Sequence, residues 1–127
     1  MSPFANQYSE VLNNETSLPI LICDKDSVIA VSGVSEREYI DRRITGELEE
    51  LIENKKNFIL NQDETSDFQA VEGAKSNVKI LMPIFANNGD SVGCIVAISN
   101  QDFEPPNETQ VKLVRLMSKV LSKQIQD

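Results

Sequence analysis

The amino-acid sequence predicts an α/β (α+β) fold of three layers, with a mixed but mainly antiparallel sheet of about five strands between helices. Three observations predict it. In the stretch 82–99, two apolar runs too short for helices flank the turn Asn87-Asn88-Gly89-Asp90, the pattern of a β-hairpin. In the second run Val92, Cys94, Val96 and Ile98 fall on one face and Gly93, Ile95, Ala97 and Ser99 on the other. Neither face is made for water, so the sheet is expected to be covered on both sides. Finally, apolar residues recur at helical spacing at both ends of the chain.

Taken in order, Ser2-Pro3 is a helix start, with Ser as N-cap and Pro at the first helical position. Phe4, Tyr8, Val11 and Leu12 then follow a helical period, giving a helix over 3–14 that the polar run 13–17 ends. Strands over 18–23 and 28–31 surround the turn Asp24-Lys25-Asp26-Ser27 and form another hairpin. The loop 32–35 leads into a short helix near 36–40, and Thr45 caps a helix over 46–56. That helix has Glu47, Glu49 and Glu50 early and Lys55 and Lys56 late, as its dipole favours. Weaker strands are expected at 58–60 and 68–71, separated by the polar loop 61–67. The turn 73–76 enters a strand over 78–86, where Pro83 removes a ladder donor and implies an edge position or a bulge.

Pro105-Pro106-Asn107 punctuates the chain before a C-terminal helix over 107–126, with Asn107 as its N-cap. Its apolar residues Val111, Leu113, Val114, Leu116, Met117, Val120, Leu121 and Ile125 spread over an arc of roughly 220°. A single packing surface needs only ~100°. Self-association is therefore expected, the alternative being a helix sunk between its own sheet and the first helix.

A chain of 127 residues is expected to be one domain over 1–127, and it is long enough to build a core without staples. Twelve basic against twenty acidic residues give a net charge of −8. Such a chain repels phosphate backbones and anionic lipid, so it is expected to contact neither nucleic acid nor membrane. No run is apolar enough for a membrane span, and residues 1–15 lack the pattern of a signal peptide, which predicts a cytoplasmic location. There is no histidine, which excludes Ser-His triads, histidine acid-base chemistry and most zinc sites. Cys23 and Cys94 sit inside apolar strand patterns and read as reduced core residues. Asp24 and Asp26 read as turn formers rather than metal ligands, and the lone Gly33 and Gly46 belong to no phosphate-binding loop. No catalyst, cofactor or metal is expected.

Pro83-Ile84, a turn, and the strand Val92-Gly93-Cys94-Ile95-Val96 resemble the sequence habit of GAF domains, small sensory modules related to PAS domains. The segments 21–26, 29–33 and Tyr39-Ile40 sharpen this. From about Phe4 to the C terminus the chain resembles the GAF-like C-terminal domain of the stage V sporulation protein T family, transcription regulators of spore-forming bacteria. The resemblance implies that the terminal helices pair on one face of the sheet, with short helices on the other, and that they bundle with those of a second copy. Tyr8, Val11, Val114, Met117, Leu121 and Ile125 are the expected oligomer interface. It further implies a regulatory and oligomerisation domain of a sporulation transcription regulator, with a small-molecule effector. The family carries a basic swapped-hairpin DNA-binding domain ahead of the GAF-like part, and nothing of that kind precedes Phe4. The chain is accordingly expected to be a fragment or a free-standing relative that reaches DNA only through such a domain.

The family's ligand pocket lies between the sheet and the segment 32–52. By resemblance Ser32, Gly33, Ser35, Arg37 and Tyr39 are the expected ligand-binding residues, with the three hydroxyls orienting a ligand and Arg37, helped by Arg42 and Arg43, pairing an anion. The alternative is that Tyr39 and Ile40 fill the space themselves and the arginines are solvated. Asn54-Lys55, Phe58 and Asp63-Glu64 fit the cyclic-nucleotide signature of GAF domains poorly in spacing, and without histidine a bilin or haem site is disfavoured. Two alternatives to an effector-reading domain remain, a ligand-free assembly module and a cysteine-dependent redox enzyme of the same fold.

Overall fold

A computed structural model describes residues 4–61, 68–74, 76–99 and 104–124. The elements in order are α1 (Ala5–Thr16), β1 (Ile20–Asp24), β2 (Val28–Ser32), α2 (Glu36–Tyr39), α3 (Gly46–Glu53), β3 (Phe58–Ile59), β4 (Asn77–Phe85), β5 (Ser91–Ser99) and α4 (Glu108–Gln124). The strands form one five-stranded sheet in the order β2-β1-β5-β4-β3. Every pairing among them is antiparallel, so the sheet is not mixed as expected.

Alternation along the central strands divides the core in two. Leu21, Cys23, Leu81, Cys94, Val96 and Ile98 point to the face covered by Tyr39 of α2 and Leu48 and Ile52 of α3. Ile20, Ile22, Ile80, Met82, Ile95 and Ala97 point to the face covered by Ala5 and Leu12 of α1 and Val114 and Leu121 of α4. Terminal helices thus lie on one side and short helices on the other. β5 is the middle strand, which is why both of its faces are apolar. A register shift between Val78 and Ile80 lets Val78 and Leu81 share one core while Ile80 joins the other.

The two terminal helices run antiparallel and are stitched at both ends. Asn107 and Gln110 exchange backbone-to-side-chain bonds of 2.8 Å each, a reciprocal cap at the start of α4. Gln110 Nε2 also donates to Thr16 O at 2.7 Å, and Gln124 Nε2 donates to the Tyr8 hydroxyl near the opposite ends.

Several expected boundaries move. α1 continues through its polar run to Thr16, whose hydroxyl donates back to Leu12 O at 2.6 Å, and it ends only at Ser17 with φ 62°. Phe4 takes the N-cap position with no side-chain cap, and the expected cap Ser2-Pro3 lies outside the described residues, as does Ile125. α3 stops at Glu53 rather than Lys56, because Lys55 adopts φ 58° and the amides of Lys55 and Lys56 turn back to Ile52 O and Leu51 O. The expected strand over 68–71 is instead a packed segment pinned by isolated bridges, Ile44 to Val71 and Gln69 to Asn77. Its Phe68, Ala70 and Val71 serve the core under α3. Pro83 is not on an edge strand, since β4 lies between β5 and β3. It is tolerated because the partners on that side, Gln69 and the two residues of β3, reach only Asn77, Ile80 and Leu81; Pro83 lies past them, next to the register shift between Ile84 and Phe85, the bulge that was the other expectation.

Candidate functional site

Among the described residues, none of the expected ligand residues lines either of the two openings described below. Tyr39 is 4% exposed and its hydroxyl shares a hydrogen bond with Ser76 Oγ, so it fills the space beneath the loop that it was expected to line. Ser35 and Arg37 are exposed around α2, as are Arg42 and Arg43, and Ser32 is half-buried at the end of edge strand β2. Gly33 has φ 88°, and a Cβ there would come within 2.5 Å of Asn13 Nδ2 and 3.0 Å of Pro19 Cα. It is a turn residue under α1, required by close approach and backbone conformation.

On the short-helix side, a cavity of about 370 Å³ opens between α3 and β3 instead. Phe58, Phe68 and Leu51 give it apolar walls, and Glu47, Glu50 and Asn54 stand at its mouth. The two rings meet edge to face with centroids 5.2 Å apart. Thr45 holds this region together: its hydroxyl donates to Gln69 O at 2.7 Å while accepting from Leu48 N as the α3 cap. Sequence reasoning missed the cavity, because Phe58 and Phe68 are separated by a polar loop and meet only through the fold.

The terminal helices present a second surface. Val114 and Leu121, expected at an oligomer interface, are fully buried against the sheet of their own chain and cannot meet a partner. Tyr8 and Met117 are half-buried against the same core. Val11 is 50%, Leu116 59% and Val120 37% exposed. The end-to-end stitching of α1 and α4 brings these three to the same height along the helix pair. Phe4, tilted against Tyr8, extends the apolar surface toward the start of α1.

The match to known families follows the same architecture. The family model for the stage V sporulation protein T C-terminal domain, described as a transcription factor, covers residues 1–126. The chain belongs to this family. Stage V sporulation protein T of Bacillus subtilis (strain 168) is 28% identical over 128 residues, which is 99% of this chain and 69% of that protein. The cofactor-binding GAF domain of the nutrient sensor CodY from Clostridium difficile superposes with a TM-score of 0.62 at 16% identity, covering 98% of this chain and 86% of that one. A red/green cyanobacteriochrome in its red-light-absorbing state gives 0.66 at 13% identity over 94% and 90%. These likenesses are of fold, and the fold is GAF-like.

In this member of the stage V sporulation protein T C-terminal family, Cys23 and Cys94 face each other across β1 and β5 and are both fully buried. Burial pushes the Cys94 thiol well up, and the hydrogen bond to Cys23 and the charges of Cys23 and Asp24 push it the same way. A thiol held protonated is a poor nucleophile. Among the described residues no group of three or more Cys, Asp or Glu is placed to hold a metal, and no helix is long and apolar enough to cross a membrane.

Proposed function

We propose that this chain is the regulatory and assembly domain of a transcription regulator, pairing with a second copy through α1 and α4. The observation that carries the reading is the outward stripe of Val11, Leu116 and Val120 on two adjacent helices. Apolar side chains at such density on one helix pair favour a bundle with another pair. The domain acts in the cytoplasm, and its acidic balance leaves contact with DNA to another part of the regulator. Its role is not catalytic, a reading supported by the missing histidine and the inaccessible thiols.

Effector reading is assigned to the cavity between α3 and β3 rather than to the loop that holds Ser32 and Ser35. Apolar walls with a few polar groups at the mouth are how small-molecule sites orient ligands. Cross-linking tests the pairing. Both native thiols are buried, so Val120→Cys adds one accessible thiol and mild oxidation should link two chains through it. Failure to link under conditions that oxidise a free model thiol contradicts the arrangement.

A further inference from the structure

Past the end of β3, the uncovered half of β4 floors an open groove of about 720 Å³. Its base is apolar, formed by Met82, Pro83 and Phe85. One wall is Arg115, Lys119 and Lys123 of α4, and the other is Lys55 and Lys56 behind α3. The three α4 residues are spaced four apart, so they form a single line on the helix, about 12 Å long. On the opposite wall, a lysine stands at the left-handed position that closes α3, where glycine is the usual residue, and Lys56 follows it.

Five of the chain's twelve basic residues line this groove, and among the described residues no acidic one does. Among the described residues no ion pair engages these five; Lys112 of α4 pairs with Glu108 at 4.0 Å, outside the groove. In a chain of net charge −8, a cationic cleft focuses anions that the remaining surface repels. The arginine fork and the lysine ammonium groups match phosphate oxygens, whereas the apolar base matches a flat, poorly hydrated body. The volume also falls in the range of small-molecule sites.

We propose that this groove binds a phosphorylated amphipath, with a nucleoside polyphosphate as the ligand class: phosphates between the two basic walls and the base on Met82, Pro83 and Phe85. Lys56 lines both this groove and the cavity of α3, but the two openings use different helices and opposite charge.

Calorimetry on the full chain at physiological salt tests this with three probes: ATP without magnesium, inorganic tripolyphosphate and adenosine. ATP should bind at least about tenfold more tightly than tripolyphosphate, a difference of ~1.4 kcal/mol, and adenosine should show no binding. Arg115→Glu with Lys119→Glu, both at exposed positions, should weaken ATP by a further tenfold or more, about 1.4 kcal/mol again, with the melting point retained. If that double variant does not fold, Lys55→Gly removes one cation while suiting the local backbone, and should weaken ATP several-fold. Arg37→Glu, remote from the groove, should change nothing. Absence of ATP binding, equal affinity for tripolyphosphate, or affinity indifferent to the groove variants overturns the proposal. So does a salt-dependent complex with duplex DNA through these residues in a protein that ignores ATP.

Discussion

The Tyr39 hydroxyl is hydrogen-bonded to Ser76 Oγ, joining residues 37 apart in sequence across the core that α2 and α3 share with the sheet. Both side chains are buried, so neither hydroxyl has water as a substitute partner. Tyr39→Phe should destabilise the domain by about 1–2 kcal/mol in urea unfolding, the cost of leaving a buried polar group short of a bond. Tyr39→Ala should cost about 3–5 kcal/mol, as expected for a core aromatic. A Tyr39→Ala protein of unchanged stability contradicts the assignment of this ring to the core.

Gly33 supplies a second check on the region expected to bind ligand. With φ 88° and a Cβ position 2.5 Å from Asn13 Nδ2, alanine there meets both backbone strain and a steric clash. Gly33→Ala should cost about 2 kcal/mol, whereas Gly46→Ala, with nothing within 4 Å of its Cβ position, should be neutral or stabilising by up to about 1 kcal/mol. Thermal melts of the two variants side by side read the contrast.

These residues also show what the sequence made legible. The hairpin over 82–99, the first hairpin and the Asn107 cap are written in adjacent residues, and each is where its local chemistry puts it. The layering followed from strands apolar on both faces. What stayed hidden is long-range. A helical wheel gives the width of the apolar arc on α4 but not which part its own sheet takes: Val114 and Leu121, on the expected interface, are buried, while Leu116 and Val120 are the exposed ones. The segment 68–71 has strand composition, yet only the packed fold shows that it pairs at isolated points. Tyr39 and Ser76 meet across 37 residues of sequence, and the basic groove joins residues from α4 to those behind α3; no local pattern contains either pairing.

The buried Cys94 thiol carries a pH dependence whose sign is fixed by burial. Cys94 holds its proton above the ordinary thiol value in the folded state, first through desolvation and then through Cys23 and Asp24. As pH rises past the unfolded thiol value of roughly 8.5, the unfolded chain releases a proton that the folded one keeps, so stability is full below that value and falls above it. Urea midpoints should drop between about pH 8.5 and 10, and Cys94→Ala should flatten that slope while lowering stability overall. An equally steep slope in the alanine variant assigns the effect to another group.

The mass of the protein in solution tests pairing through the terminal helices most directly. Light scattering at micromolar concentration should give at least twice the 14.2 kDa of one chain. Leu116→Lys with Val120→Lys, on the exposed stripe, should return the mass to one chain with the circular dichroism spectrum unchanged. A wild-type mass of 14.2 kDa across that range, or a double variant that still associates, contradicts assembly through α1 and α4.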